Sequence, residues 1–179
     1  DLADISFLDL IDTQGDKAID SLPKKIKQNE RSVAEILAAN MRKMIISERP
    51  NNPAYFDKMS DLLNHLLQEQ KDGKIQYKEL IKKLIEKLKE ARSTIKTKYP
   101  ATIDTKGKQA LYDNLGKDEI LALRVHETIK ANARDGFRDM DSSGLKKMKA
   151  LRRAVERVLQ GVEVNIDDIM QLIVAQREY

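Results

Sequence analysis

The chain has no cysteine and no tryptophan, and only seven glycines, four prolines, three phenylalanines and five tyrosines in 179 residues. Without cysteine there is no disulfide framework and no thiolate chemistry. With aromatics at 4%, the core has to be built from Leu, Ile, Val, Ala and Met. The two histidines, His65 and His126, fall in different segments with neither H-E-x-x-H nor Cys/His spacing, so no zinc site is expected. No G-x-x-x-x-G-K-[ST] sequence or other Gly-rich phosphate loop occurs. No apolar run approaches the ~20 residues of a membrane-spanning helix, and no signal peptide opens the chain. No membrane partner and a cytoplasmic location are therefore expected. Opening at Asp1 without Met, the chain is expected to be a fragment or a processed product. Finally, no stretch shows the period-2 alternation of a strand, and no repeat recurs every 20–50 residues.

What is present is charge and helical periodicity. Charged residues make up 35% of the chain, above the usual quarter, while the net charge is only +4. That fits many solvated helix faces. Residues 1–30 begin acidic, with Asp1, Asp4, Asp9, Asp12, Asp16 and Asp20 against Lys17 alone over the first twenty. They read as a junction segment ahead of a helical domain over 31–179.

A helix over 32–48 carries Val33, Ile36, Leu37, Met41, Met44 and Ile45 on one face. Asn52-Pro53 starts the next: the residue before proline is pushed into the extended conformation of an N-cap, and proline suits the first helical position. Met59, Leu62, Leu63, Leu66 and Leu67 form its stripe and Gly73 ends it. A third helix follows, with Tyr77, Leu80, Ile81, Leu84, Ile85 and Leu88 on one side. So short a connection predicts a central antiparallel hairpin of 53–72 and 75–96. Further on, Asp104 is expected to cap a helix over 105–115 closed by Gly116. Asp118 starts a helix with Leu121, Val125 and Ile129 in register, and 135–144 forms a loop. A helix over 145–160 ends at Gly161, and Asn165 caps the last. The expected fold is all-α, one compact domain of about seven helices.

Two charge patterns invite a function. Asp57 and Asp61 upstream of Glu69-Gln70-Lys71 imitate the carboxylate–lysine set of Mg²⁺-dependent nucleases, but they fall on the polar side of one helix. Metal chemistry needs carboxylates that converge, so solvation is the reading. Residues 71–98 hold ten Lys/Arg against four Asp/Glu, spread around a helix and partly paired, as Glu79 with Lys83. The 145–160 helix is different. Leu145, Met148, Leu151, Val155, Val158 and Leu159 make its apolar side. Lys146, Lys149, Arg153 and Arg157 align opposite, all within roughly a sixth of a turn of Lys146. Such a stripe suits a phosphate backbone or an acidic protein surface; solvated surface is the alternative, and both stand at this point. No catalytic, cofactor or metal residue is nominated.

Three stretches carry a resemblance: Arg49-Pro50-Asn51-Asn52-Pro53-Ala54-Tyr55-Phe56-Asp57-Lys58-Met59-Ser60-Asp61-Leu62-Leu63; Tyr99-Pro100 with Ile103-Asp104-Thr105 and Ala110-Leu111-Tyr112-Asp113-Asn114-Leu115-Gly116; and Gln176-Arg177-Glu178-Tyr179. In these the chain resembles the carboxy-terminal helical domain of the restriction (motor) subunit of type I restriction–modification enzymes. The likeness covers most of 30–179; residues 1–30 and 137–144 match more loosely, and Phe137 stands where relatives often have Trp. The resemblance implies a parent with an upstream Mg²⁺-dependent nuclease and two ATP-driven translocase lobes. It implies partners too, the modification and specificity subunits of a methyltransferase core, onto which this domain would dock the motor. ATP and Mg²⁺ would then belong to the parent, and none of its catalytic motifs lies in this chain. Direct, sequence-independent DNA-backbone binding by 145–160 is the alternative function.

Overall fold

The computed structural model describes residues 10–11, 14–92 and 99–179, and among them every regular element is helical. Eight α-helices lie wholly among the described residues, in order: α1 (Lys24–Lys27), α2 (Glu30–Glu48), α3 (Pro53–Lys71), α4 (Tyr77–Arg92), α5 (Lys106–Asn114), α6 (Glu119–Asn132), α7 (Ser142–Val158) and α8 (Ile166–Ala175). Two 3-10 turns, Gly15–Ser21 and Arg49–Asn51, precede α1 and α3. The all-α expectation is met. The end of the expected 75–96 helix and most of the acidic run before residue 20 lie outside the described residues.

The chain divides into two compact units, a partition that helix periodicity does not reveal. Unit 1 is Asp1–Glu48 with Phe56–Ile95; unit 2 is Arg49–Tyr55 with Lys96–Tyr179. The boundary falls inside the first turn of α3.

In unit 1 the most extensive helix packing is α2 against α4. The buried face of α2 explains it. Ala34 and Ala38, one turn apart, lie among Val33, Leu37, Met41, Met44 and Ile45, and their small side chains permit a close backbone approach. On α4, Leu80, Leu84, Ile85 and Leu88 are buried, as its periodicity predicts. α3 buries Phe56, Met59, Leu63 and Leu66, with Leu62 and Leu67 half-buried. α3 and α4 are joined by the expected tight turn, in which Gly73 takes φ +73°, a left-handed conformation open to glycine at little cost. The expected central hairpin is not the main packing, however: α4 packs chiefly on α2 rather than on α3. Asn40, fully buried on α2, donates to the Ile36 carbonyl at 2.9 Å, as a mid-helix Asn can.

Unit 2 is built on α5, α6 and α7, with α5 against α6 and α6 against α7, and with α8 packed on α5 and on the Arg49–Asn51 turn. Its core includes Ile103, Leu111, Val125, Ile129, Phe137, Leu151, Val155 and Ile173. Caps fix the helix starts. Asp118 accepts from the Leu121 amide at 2.9 Å, and Asn165 from those of Asp167 and Asp168. At α5 the cap is one residue later than expected. Thr105 accepts from the Lys108 amide at 3.2 Å, whereas Asp104 pairs with the Lys108 ammonium at 2.8 Å. α7 also starts earlier than expected, because Asp141 caps it by accepting from the Gly144 amide at 2.6 Å. The Asp141-Ser-Ser-Gly144 stretch, read as loop, is therefore the first turn of α7.

Candidate functional site

The basic stripe is where the sequence places it. Lys146, Lys149, Arg153 and Arg157 are all exposed on α7, and Leu151 and Val155 opposite them are fully buried. Along the axis the four span roughly 16 Å. Among the described residues none of the four has a hydrogen-bond or ion-pair partner. Their neighbours do. Lys147 Nζ donates to the Asp135 carbonyl at 2.7 Å. Arg152 bonds Glu156 at 2.8 Å and Asp167 at 2.6 Å, and these carboxylates hold its guanidinium more firmly protonated than usual. One residue departs from expectation. Leu145 is 48% exposed rather than part of the apolar side. It lies about 100° from Lys146, at the edge of the apolar arc, and no neighbouring element covers it.

A second constellation, unforeseen as a unit, joins the three stretches that carry the resemblance. All its members belong to unit 2. Asn52 accepts from the Tyr55 amide at 3.3 Å, making it the N-cap expected of α3. It also donates to Asp113 at 2.8 Å and accepts from Asn114 Nδ2 at 2.8 Å. Asn114 in turn accepts from the Ala54 amide at 3.2 Å, and the Tyr99 hydroxyl donates to Asp113 at 2.6 Å. Tyr99 and Tyr112 meet edge to face at 5.8 Å. Gln176 donates to the Asn51 carbonyl.

Glu178 completes the seam at the start of α5. It accepts from Thr105 Oγ1 at 2.8 Å and from the Gly107 amide at 2.9 Å, where the unpaired amides of a helix start favour an anion. The same carboxylate accounts for glycine at position 107, inside α5. A Cβ on Gly107 would lie 2.5 Å from Glu178 Oε2 and 3.0 Å from Tyr179 Oη. Arg138 donates to the carbonyls of Val174 at 3.0 Å, Gln176 at 2.7 Å and Tyr179 at 2.7 Å, with its guanidinium 4.2 Å above the Phe137 ring. The polar groups here fasten segments to one another: two carboxylates, Asp113 and Glu178, each accept two hydrogen bonds from distant parts of unit 2.

His126 sits in this seam, 6% exposed, its Nδ1 2.8 Å from Tyr179 Oη. Burial holds its imidazole below the ordinary value, opposed by Glu178, with Lys108 lowering it, Glu127 raising it and Lys130 lowering it. Burial also pushes the Tyr179 phenol well up. The unfolded chain therefore binds the His126 proton more readily than the folded one, so stability rises with pH across this group. The stability is present above the unfolded value of about 6.5 and is lost as pH falls through the folded one. Denaturant melts between pH 8 and pH 5 should show that loss, and His126→Gln should flatten it. Equal slopes in both proteins would remove His126 from the account.

The remaining sequence candidates stay ordinary. His65 is exposed and 3.4 Å from Glu69. Asp57 and Asp61 are exposed on α3, and no group of three metal-ligating side chains assembles among the described residues. Glu79 and Lys83 pair at 3.2 Å, as their spacing predicts. Among the described residues no helix is long and apolar enough to cross a membrane. In comparisons with known families, characterised proteins and solved structures, the chain matches none.

Proposed function

We propose that this chain is a non-catalytic assembly module, the carboxy-terminal helical domain of a type I restriction–modification motor subunit. It docks the motor onto the methyltransferase core of modification and specificity subunits in the prokaryotic cytoplasm. Nuclease and ATP-driven translocation, with their Mg²⁺ and ATP, belong to the parent and not to these residues. The observation that carries the reading is the α7 face: four exposed cations in register on a helix anchored from behind, without intramolecular partners among the described residues. Like charges at i and i+4, as in Lys149–Arg153 and Arg153–Arg157, cost a few tenths of a kcal/mol each. An external anionic surface turns that cost into attraction. The seam formed by the 49–63, 99–116 and 176–179 stretches supports the resemblance, since residues from all three serve a single folded unit.

The same cations favour a second reading, direct binding of DNA phosphates. One quadruple variant separates the two: Lys146→Gln, Lys149→Gln, Arg153→Gln and Arg157→Gln. On the docking reading the variant loses affinity for the methyltransferase core, mostly through a slower on-rate, and keeps whatever DNA binding the wild type has. On the DNA reading the wild type binds duplex of any sequence with a log–log salt slope near about −3.6, four phosphates at about −0.9 each. The variant then abolishes that binding. Helicity should be unchanged in either case, because the positions face solvent. A variant equal to wild type in both assays leaves the stripe as solvated surface and ends the proposal.

A further inference from the structure

Three large apolar side chains of unit 2 stand exposed on or just before α7 and α8. Met140, 89% exposed, lies in the segment entering α7; Leu145, 48% exposed, is in its first turn; Val174, 38% exposed, is in the last turn of α8. Two sets of bonds fix how these helices run. Arg152, in the second half of α7, holds Asp167 at the start of α8. Arg138, just ahead of α7, holds the Val174 and Gln176 carbonyls at the end of α8. The helices are therefore antiparallel, and an open groove runs along α8, lined by Asp167, Met170, Gln171, Val174 and Ala175 with Arg152 of α7 at its edge. Leu145 precedes Arg152 by two turns on the same shoulder of α7, which extends the apolar strip toward Met140.

The α7 rim of that groove is basic. Lys149 stands one turn beyond Leu145, and Arg153 one turn beyond Lys149. Arg152 is already committed to Glu156 and Asp167, so the charge available to an incoming molecule is that of the stripe. We infer that the groove between α7 and α8 receives an acidic amphipathic helix of a partner protein, its apolar side chains against Leu145 and Val174 and its carboxylates against Lys149 and Arg153. A nucleic-acid backbone would satisfy the cations but offers nothing to three exposed apolar side chains; a helix laid in a groove satisfies both. This deepens the docking reading and rests on it.

The test uses the whole chain and a fluorescein-labelled probe helix with leucine on one face and glutamate on the other. A scrambled peptide of the same composition serves as its control. Anisotropy titrations at physiological salt should show the probe binding at least about tenfold more tightly than the scramble, a difference of about 1.4 kcal/mol. The double variant Leu145→Ser, Val174→Ser should lose most of that ratio with an unchanged circular dichroism spectrum. Equal binding of probe and scramble, or a double variant that binds the probe like wild type, overturns the inference. So does a DNA duplex that displaces the probe and is itself indifferent to the double variant. The methyltransferase core distinguishes the two levels of the argument. Core binding that survives the double variant sinks the groove and leaves docking standing. A chain that holds the probe but not the core does the reverse.

Discussion

Leu84→Ala should cost ~2–5 kcal/mol of stability, the range for a large aliphatic side chain cut back inside a core that cannot fully collapse around the hole. Leu84 is 0% exposed and sits mid-way along α4, the helix that packs most extensively on α2. Leu80, Ile85 and Leu88 on the same helix are buried with it, and so densely packed a face leaves little slack with which to refill a cavity. Denaturant unfolding gives the answer as a shift in midpoint at constant slope. Ile46→Ala is the control: at 76% exposure on α2 it should move stability by no more than about 0.5 kcal/mol. If Leu84→Ala also costs less than about 0.5 kcal/mol, the α2–α4 packing described above is wrong.

Gly144→Ala sets two physical effects against each other, and the sign of the result decides between them. Helix propensity alone favours alanine by about 0.8–1 kcal/mol. The surroundings oppose it. A Cβ at 144 would lie 2.1 Å from the Asp139 carbonyl oxygen and 2.8 Å from its carbon, both backbone atoms. That backbone is itself tied, Phe137 N to Arg134 O at 2.9 Å and Asp139 N to Gly136 O at 3.1 Å. The clash should win, with a net loss of about 1–3 kcal/mol and a lower melting temperature. An unchanged or raised melting temperature would mean that the 134–141 segment yields freely.

Legibility in the sequence followed the range of the interaction. The caps Asn52, Asp118 and Asn165 and the turn glycines Gly73, Gly116 and Gly161 could be read because each acts within a few residues of itself. The stripes on α2, α4 and α6 could be read because one helix period is all they require. The basic stripe is also periodic, and all four of its residues are exposed. What could not be read depends on distant partners. Thr105 displaces Asp104 as cap while it also donates to Glu178, seventy-three residues away. Gly107 owes its identity to that same carboxylate. Leu145 belongs to the apolar arc by angle, yet burial depends on a neighbour that is not there. The division into two units has no composition signal, since it cuts through the first turn of a well-formed helix.

That division has a consequence for how the chain is made. Unit 1 ends at residue 95, whereas unit 2 is discontinuous: its first strip, Arg49–Tyr55, emerges between the two segments of unit 1 and well before the rest of unit 2. During synthesis at roughly 5–20 residues per second, Asn51 and Asn52 wait several seconds for Asp113 and Asn114, and longer for Gln176. The bond from Gln176 to Asn51 closes a separation of 125 residues. Contacts of such long reach are slow to form, and the 49–55 strip is without these partners until they do. The 49–55 strip completes its bonds only once residues 113, 114 and 176 have been made.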